Sequence, residues 1–244
     1  MNAGFMPEGL PDFSDGFDVY AGWEITRKGD NSLTPEQNRL LAYGAPLFLY
    51  NDDNVDSLES TAGTDTLKEM LEEWWEVTDR KSALETISWL LNEGQHAGAD
   101  PALTEIRQRG IEAITEEEKA DEDSKIGDAF TIAEFVMGVN ETTEADLPET
   151  VLAWDLVRAV NMARWAFICG YINEDEMWEA IRTTAGIAKE SFNSWEEYGN
   201  SFAWDAEYGE AKQMTTRLRM KSWERFSIKK IPLGRQSNGR IQKK

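Results

Sequence analysis

The stretch WDLVRAVNMARWAFICGY, residues 154–171, decides the fold. Leu156, Val160, Met162, Ala163 and Phe167 spread apolar groups over most sides of a helix, and a helix apolar on most sides is a central one. It also carries Asp155, Arg158, Asn161 and Arg164. At about 100° per residue, Asp155 and Arg158 are i,i+3 neighbours, and Asn161 and Arg164 continue a slow drift around the same helix. Charges inside a core must be paired, because removing one partner of a buried pair costs about 3–5 kcal/mol. Two readings follow. In the first, these groups tie the helix to its neighbours. In the second, Arg158 and Arg164 line a cleft for an anion, with Asp155 orienting one of them. The first is favoured.

Working outward, helix signals recur on both sides. TPEQ at 34–37 offers Thr34 as N-cap, Pro35 at the first helical position and Gln37 closing a capping box, for a helix running to Gly44. LYNDDNVDSLES reads as a polar loop, followed by a helix from about Asp65. In VTDRKSALETISWLLNEG, Thr78 or Asp79 caps a helix whose Ala83, Leu84, Ile87, Leu90 and Leu91 repeat at helical spacing until Gly94 ends it. A further helix is expected to start near Pro101 and to stretch into the acidic run TEEEKADEDSK. DAFTIAEFVMG at 128–138 gives another. The central helix is expected to follow DLPETV, with Pro148 at or near its first turn. NEDE at 173–176 and SWEE at 194–197 start two more.

No run alternates with period two, so no strand is predicted. The expected fold is all-α: a single compact multi-helix domain over 34–226, built around a central buried helix at about 151–170. Residues 1–33, rich in Gly, Pro and Asp with scattered aromatics, read as an irregular N-terminal arm. Residues 227–244 read as a basic flexible tail.

The charge is lopsided, with 46 acidic against 25 basic residues. Residues 211–244 hold 11 Lys and Arg and one Glu, so the preceding 210 residues carry a net charge of −31. Such a body repels nucleic acid and anionic lipid and attracts basic partners. One cysteine, Cys169, excludes an intrachain disulfide. With His96 as the sole histidine, a four-ligand zinc site cannot be assembled within the chain. The N-terminal residues show no signal-peptide pattern, and the longest apolar run, APLFLY at 45–50, is too short to span a bilayer. The expected location is the cytoplasm, with no membrane partner.

The common phosphate-loop, dinucleotide and serine-elbow motifs are absent. DDNVDS at 52–57 begins like a calcium loop, but Ser57 stands where glycine is needed and Gly63 where the bidentate Glu is needed. His96 is expected near a surface turn, and Cys169 as a small buried hydrophobe. No catalytic residue, metal ligand or cofactor is assigned. The adjacent Trp74 and Trp75 are expected to be core, with the arm covering one of them.

Three blocks, WWEVTDRKSALETISWLLNEG, WDLVRAVNMARWAFICGYINEDEMWEAI and FNSWEEYGNSF, resemble the bacterial domain-of-unknown-function family 1266, the YbeU/YbeR-like proteins, over roughly 70–210. The matching positions are Trp75, Asp79 and Arg80; Trp154 or Asp155, Arg158, Asn161, Ala163, Arg164, Gly170 and Tyr171; and Ser194, Trp195 and Glu197. The family pattern sets Gly and His side by side where this chain reads Gly94-Gln95-His96. The resemblance implies a soluble helical bacterial protein, with some members in toxin–immunity neighbourhoods, and no reaction or cofactor.

The leading expectation is a protein that binds a basic protein partner, such as an immunity protein neutralising a toxin, with Trp75, Trp195 and Glu197 as candidate contacts. The alternative is an enzyme or small-ligand protein with a cleft lined by Asp79, Arg80, Asp155, Arg158, Asn161 and Arg164. Burial discriminates between them. Nucleic-acid binding through 212–244, where Trp223 and Phe226 interleave with basic residues, is disfavoured by the negative body.

Overall fold

A computed structural model of the chain describes residues 25–121, 125–140 and 143–205. The arm's first 24 residues and the basic tail lie outside the described residues. Among those described there is no strand, and ten α-helices follow one another: α1 (Pro35–Leu41), α2 (Ala45–Tyr50), α3 (Thr64–Trp75), α4 (Arg80–Asn92), α5 (His96–Arg109), α6 (Glu116–Lys119), α7 (Lys125–Asn140), α8 (Leu152–Ile168), α9 (Glu174–Ser191) and α10 (Trp195–Asp205). The fold is all-α, as the periodicity predicts.

Helix α8 is the hub. Every residue from Ala153 to Ala166 is buried, and α9, α4, α10, α2 and the 3-10 turn Ala42–Gly44 pack around it. Close approach is built in at Gly44, where a Cβ would collide with Val160. That closeness lets Asn161 Nδ2 reach the Gly44 carbonyl at 3.0 Å. Tyr198 of α10 donates to the Tyr43 carbonyl at 2.8 Å.

The hydrophobic residues divide into two clusters. The larger joins α1–α4 and α8–α10. The smaller is formed by Ala102, Leu103 and Ile106 of α5 with Ala129, Phe130 and Ala133 of α7, closed by Ile114, Leu147 and Val151. The α5–α7 lobe therefore has a core of its own, and α5 touches α8 much less extensively than it touches α7.

The predicted caps hold at Thr34, Asp79 and Asn173, each with a reciprocal capping box. Two helix starts differ from expectation. Helix α5 begins at His96, five residues before Pro101, because the Asp155 carboxylate accepts the backbone N–H groups of Gln95 and His96, both at 2.9 Å. Orphan N–H groups at a helix start need an acceptor, and here a distant helix supplies it. The helix then stops at Gly110 (φ +85°) instead of entering the acidic run, where Thr115 caps the separate α6. Helix α8 begins at Leu152, leaving Pro148 outside. The Asp100 carboxylate accepts Val151 N–H at 2.9 Å, Thr150 Oγ1 accepts Leu152 N–H, and Ser201 Oγ accepts Ala153 N–H.

Candidate functional site

The polar residues of α8 fall into separate sets of contacts. Arg164 is fully buried. It donates to Asp53 Oδ2 at 3.1 Å and to the carbonyls of Leu58 and Glu59, and its guanidinium lies 4.5 Å from the Phe48 ring centroid. Asp53, 3% exposed, also accepts from the N–H groups of Asn54 and Thr61 and from Ser60 Oγ. The loop with the partial calcium pattern is thus closed on itself around a buried Arg–Asp pair. Burial pulls the Arg164 guanidinium below its ordinary value, and Asp53 opposes that pull. Asn161 sits between the charged groups, donating to Gly44 and Val157 carbonyls.

Near the start of α8, Asp155 is fully buried and gathers four donors. Oδ2 accepts Gln95 N–H and His96 N–H and lies 2.7 Å from His96 Nδ1; Oδ1 accepts from Arg158. Arg158, 3% exposed, stacks against Trp154 and Trp75, at 5.0 and 5.7 Å from their ring centroids. Burial pushes the Asp155 carboxyl up, but the His96 bond, the Arg158 charge and the two amides outweigh it and hold the group below the usual carboxylate range. Gly94, at φ +47°, makes the approach possible, since a Cβ there would strike the Asp155 carboxylate. One turn beyond His96, Asp100 accepts from Thr150 Oγ1 at 2.6 Å, and burial raises its carboxyl above the ordinary value.

The remaining sequence-predicted residues lie apart from these sets. Asp79 is the exposed N-cap of α4, bonded to Ser82. Arg80 is exposed and pairs with Glu176, tying α4 to α9. The six polar residues are thus divided between exposed and buried positions; of them, Asp155 and Arg158 form an ion pair. Of the candidate partner contacts, Trp75 is partly buried beside Arg158, and Trp195 is partly buried with its ring 4.7 Å from Tyr43. Trp74 is 40% exposed rather than core. Glu197 accepts from Asn193 N–H and Nδ2.

Glu197 also lines a cleft of about 300 Å³ between the segment before α8 and α10. Asp146, Glu149 and Glu197 bring carboxylates to it; Leu147, Pro148 and Phe192 bring apolar surface; among the described residues no basic residue lines it, although Arg107 lies 3.6 Å from Glu149 at its edge. Among the described residues, no group of three or more His, Cys, Asp and Glu side chains is arranged to hold a metal. Cys169 is buried, and burial raises its thiol.

His96 departs from expectation. Its side chain is only 17% exposed and is bonded into the α8 cluster. Sequence reading also missed Asp53 and Asp100, and took Gly94 only as a helix end. The available signal was the i,i+4 spacing of His96 and Asp100, which puts both on one helix face once α5 is started at His96.

Fold and site together define a helical protein whose central polar residues act as internal ties. The family model described as Protein of unknown function (DUF1266) matches residues 70–229, more than half of the chain, and the chain belongs to this family. The match extends past residue 210 into the basic region. No curated protein and no solved structure matches the chain. Among the described residues, no helix is long and apolar enough to cross a membrane.

Proposed function

We propose that this is a cytoplasmic bacterial protein that binds a basic protein partner. The observation that supports this most directly is the cleft at Asp146–Thr150 and α10, lined among the described residues by three carboxylates and apolar patches, with Arg107 beside one of the carboxylates, Glu149. A lysine or arginine side chain suits such a place, its aliphatic stem over Leu147, Pro148 and Phe192 and its charged head among the carboxylates. The negative body around it would speed encounter with a basic partner. Trp74, 40% exposed on a helix with exposed Lys68, Glu69, Glu72 and Glu73, adds a second largely acidic surface with an aromatic group. Neutralisation of a basic toxin by an immunity protein is one form this binding would take. The rival enzyme or small-ligand reading has less support, since Asp155 and Arg158 are buried against each other and Asn161 and Arg164 are buried against other partners.

The test is affinity capture from the native host at low and moderate salt, with wild type and Glu149→Lys side by side. Glu149 is largely exposed and its pair with Arg107 at 3.6 Å is a surface one, so the change leaves the core intact. The expected result is one basic protein held stoichiometrically by wild type, released by salt and bound on the order of tenfold more weakly by the variant, as a reversed charge contact implies. A wild-type eluate without any stoichiometric basic protein contradicts the reading.

A further inference from the structure

The α5–α7 lobe, with its separate small core, is fastened to the central helix by two polar side chains one turn apart on α5: His96 to Asp155, and Asp100 to Thr150 and the Val151 amide. Asp155 is sealed from water, whereas His96 keeps 17% of its side-chain surface, enough to exchange a proton with solvent. Among the described residues, the charged groups around His96 include Asp155 and, through it, Arg158 from α8, and Asp100 from its own helix. With the imidazole protonated, these four groups balance, two cations against two carboxylates. With it neutral, the same four carry a net negative charge largely removed from water, which is costly.

We propose that His96 is a proton-operated clasp: its imidazolium form binds Asp155 and holds the α5–α7 lobe against α8, and its deprotonation loosens that junction. The sign follows from the partner. A histidine held by a carboxylate contributes stability that is present at low pH and is lost as pH rises through its titration. The effect is local, because the larger core around α8 contains no part of the α5–α7 lobe. It does not depend on whether a basic partner binds at the α10 cleft.

The chain has one histidine, so a proton NMR titration of the full chain reads a single imidazole C2–H resonance. The expected midpoint lies above that of free histidine. Amide hydrogen exchange measured at about pH 5.5 and about pH 8, on either side of histidine's ordinary range and corrected for intrinsic exchange, supplies the second readout. In wild type, protection of α5 amides falls with rising pH, by about tenfold for each unit of midpoint displacement. In His96→Gln that component of the loss disappears, while any contribution from Asp100 remains. A midpoint at or below that of free histidine, or an equal loss of α5 protection in His96→Gln, overturns the proposal.

Discussion

Toward its C-terminal end α8 is anchored by Arg164, sealed with Asp53 and two loop carbonyls, with no histidine in the set. Toward its N-terminal end it is anchored by Asp155, whose partners include a histidine that still meets solvent. Both anchors bury a carboxylate against an arginine, and in both the arginine lies over an aromatic ring. The difference lies in what is held. Arg164 fastens a short loop permanently to the main core. Asp155 fastens the start of a helix belonging to a second core, and does so partly through a proton. One helix thus carries a fixed tie and an adjustable one.

The largest effect is expected at the fixed end. Arg164→Ala leaves Asp53 buried without its cation and should cost about 3–5 kcal/mol in urea unfolding. If it costs under about 1 kcal/mol, the sealed pair is not an anchor. At the adjustable end, Gly94→Ala forces a Cβ onto a carboxylate pinned by four donors, at a backbone φ of +47° that favours glycine. The expected loss is about 2–3 kcal/mol, measured the same way. Asn161→Ala, between the two anchors, removes the donor to the Gly44 carbonyl and should cost about 1–2 kcal/mol.

The pH dependence sharpens the contrast further. Asp155, held below the usual carboxylate value, contributes stability that is present above that value and is lost as pH falls through its own titration. Asp100, raised by burial, runs the other way: its contribution is present at low pH and is lost as pH rises through its titration. Thermal melts across the acidic to neutral range should therefore show Asp100→Asn gaining on wild type as pH rises; a constant difference would show that its burial carries no such cost. Arg80→Ala should change least. Its bond to Glu176 is exposed, and melts in high salt should not distinguish the variant from wild type.

How much of this was legible in the sequence differs along the chain. Local capping chemistry announced Thr34, Asp79 and Asn173, and the all-round apolar character of 154–171 announced the hub. The start of α5 was hidden because its cap is Asp155, some sixty residues away, and no local residue at Gln95 or His96 signals it. The same distance hid the site. Asp53 and Arg164 lie 111 positions apart, so the sequence shows that Arg164 needs a counter-charge but not which of many carboxylates supplies it. Pro101 looked like a helix start and is instead accommodated inside α5, in its second turn.

The account rests on the polar residues of α8 being ties to neighbouring elements. A double-mutant cycle in urea tests this most directly, with Asp53→Asn, Arg164→Met and the combined variant. Asparagine keeps an acceptor for the Asn54, Ser60 and Thr61 donors while removing the charge. The account predicts large losses for the single changes and a coupling of about 2–3 kcal/mol, so that the double variant is far more stable than the sum of the two. Losses that add within about 0.5 kcal/mol would show the two charges to be independent and would contradict it.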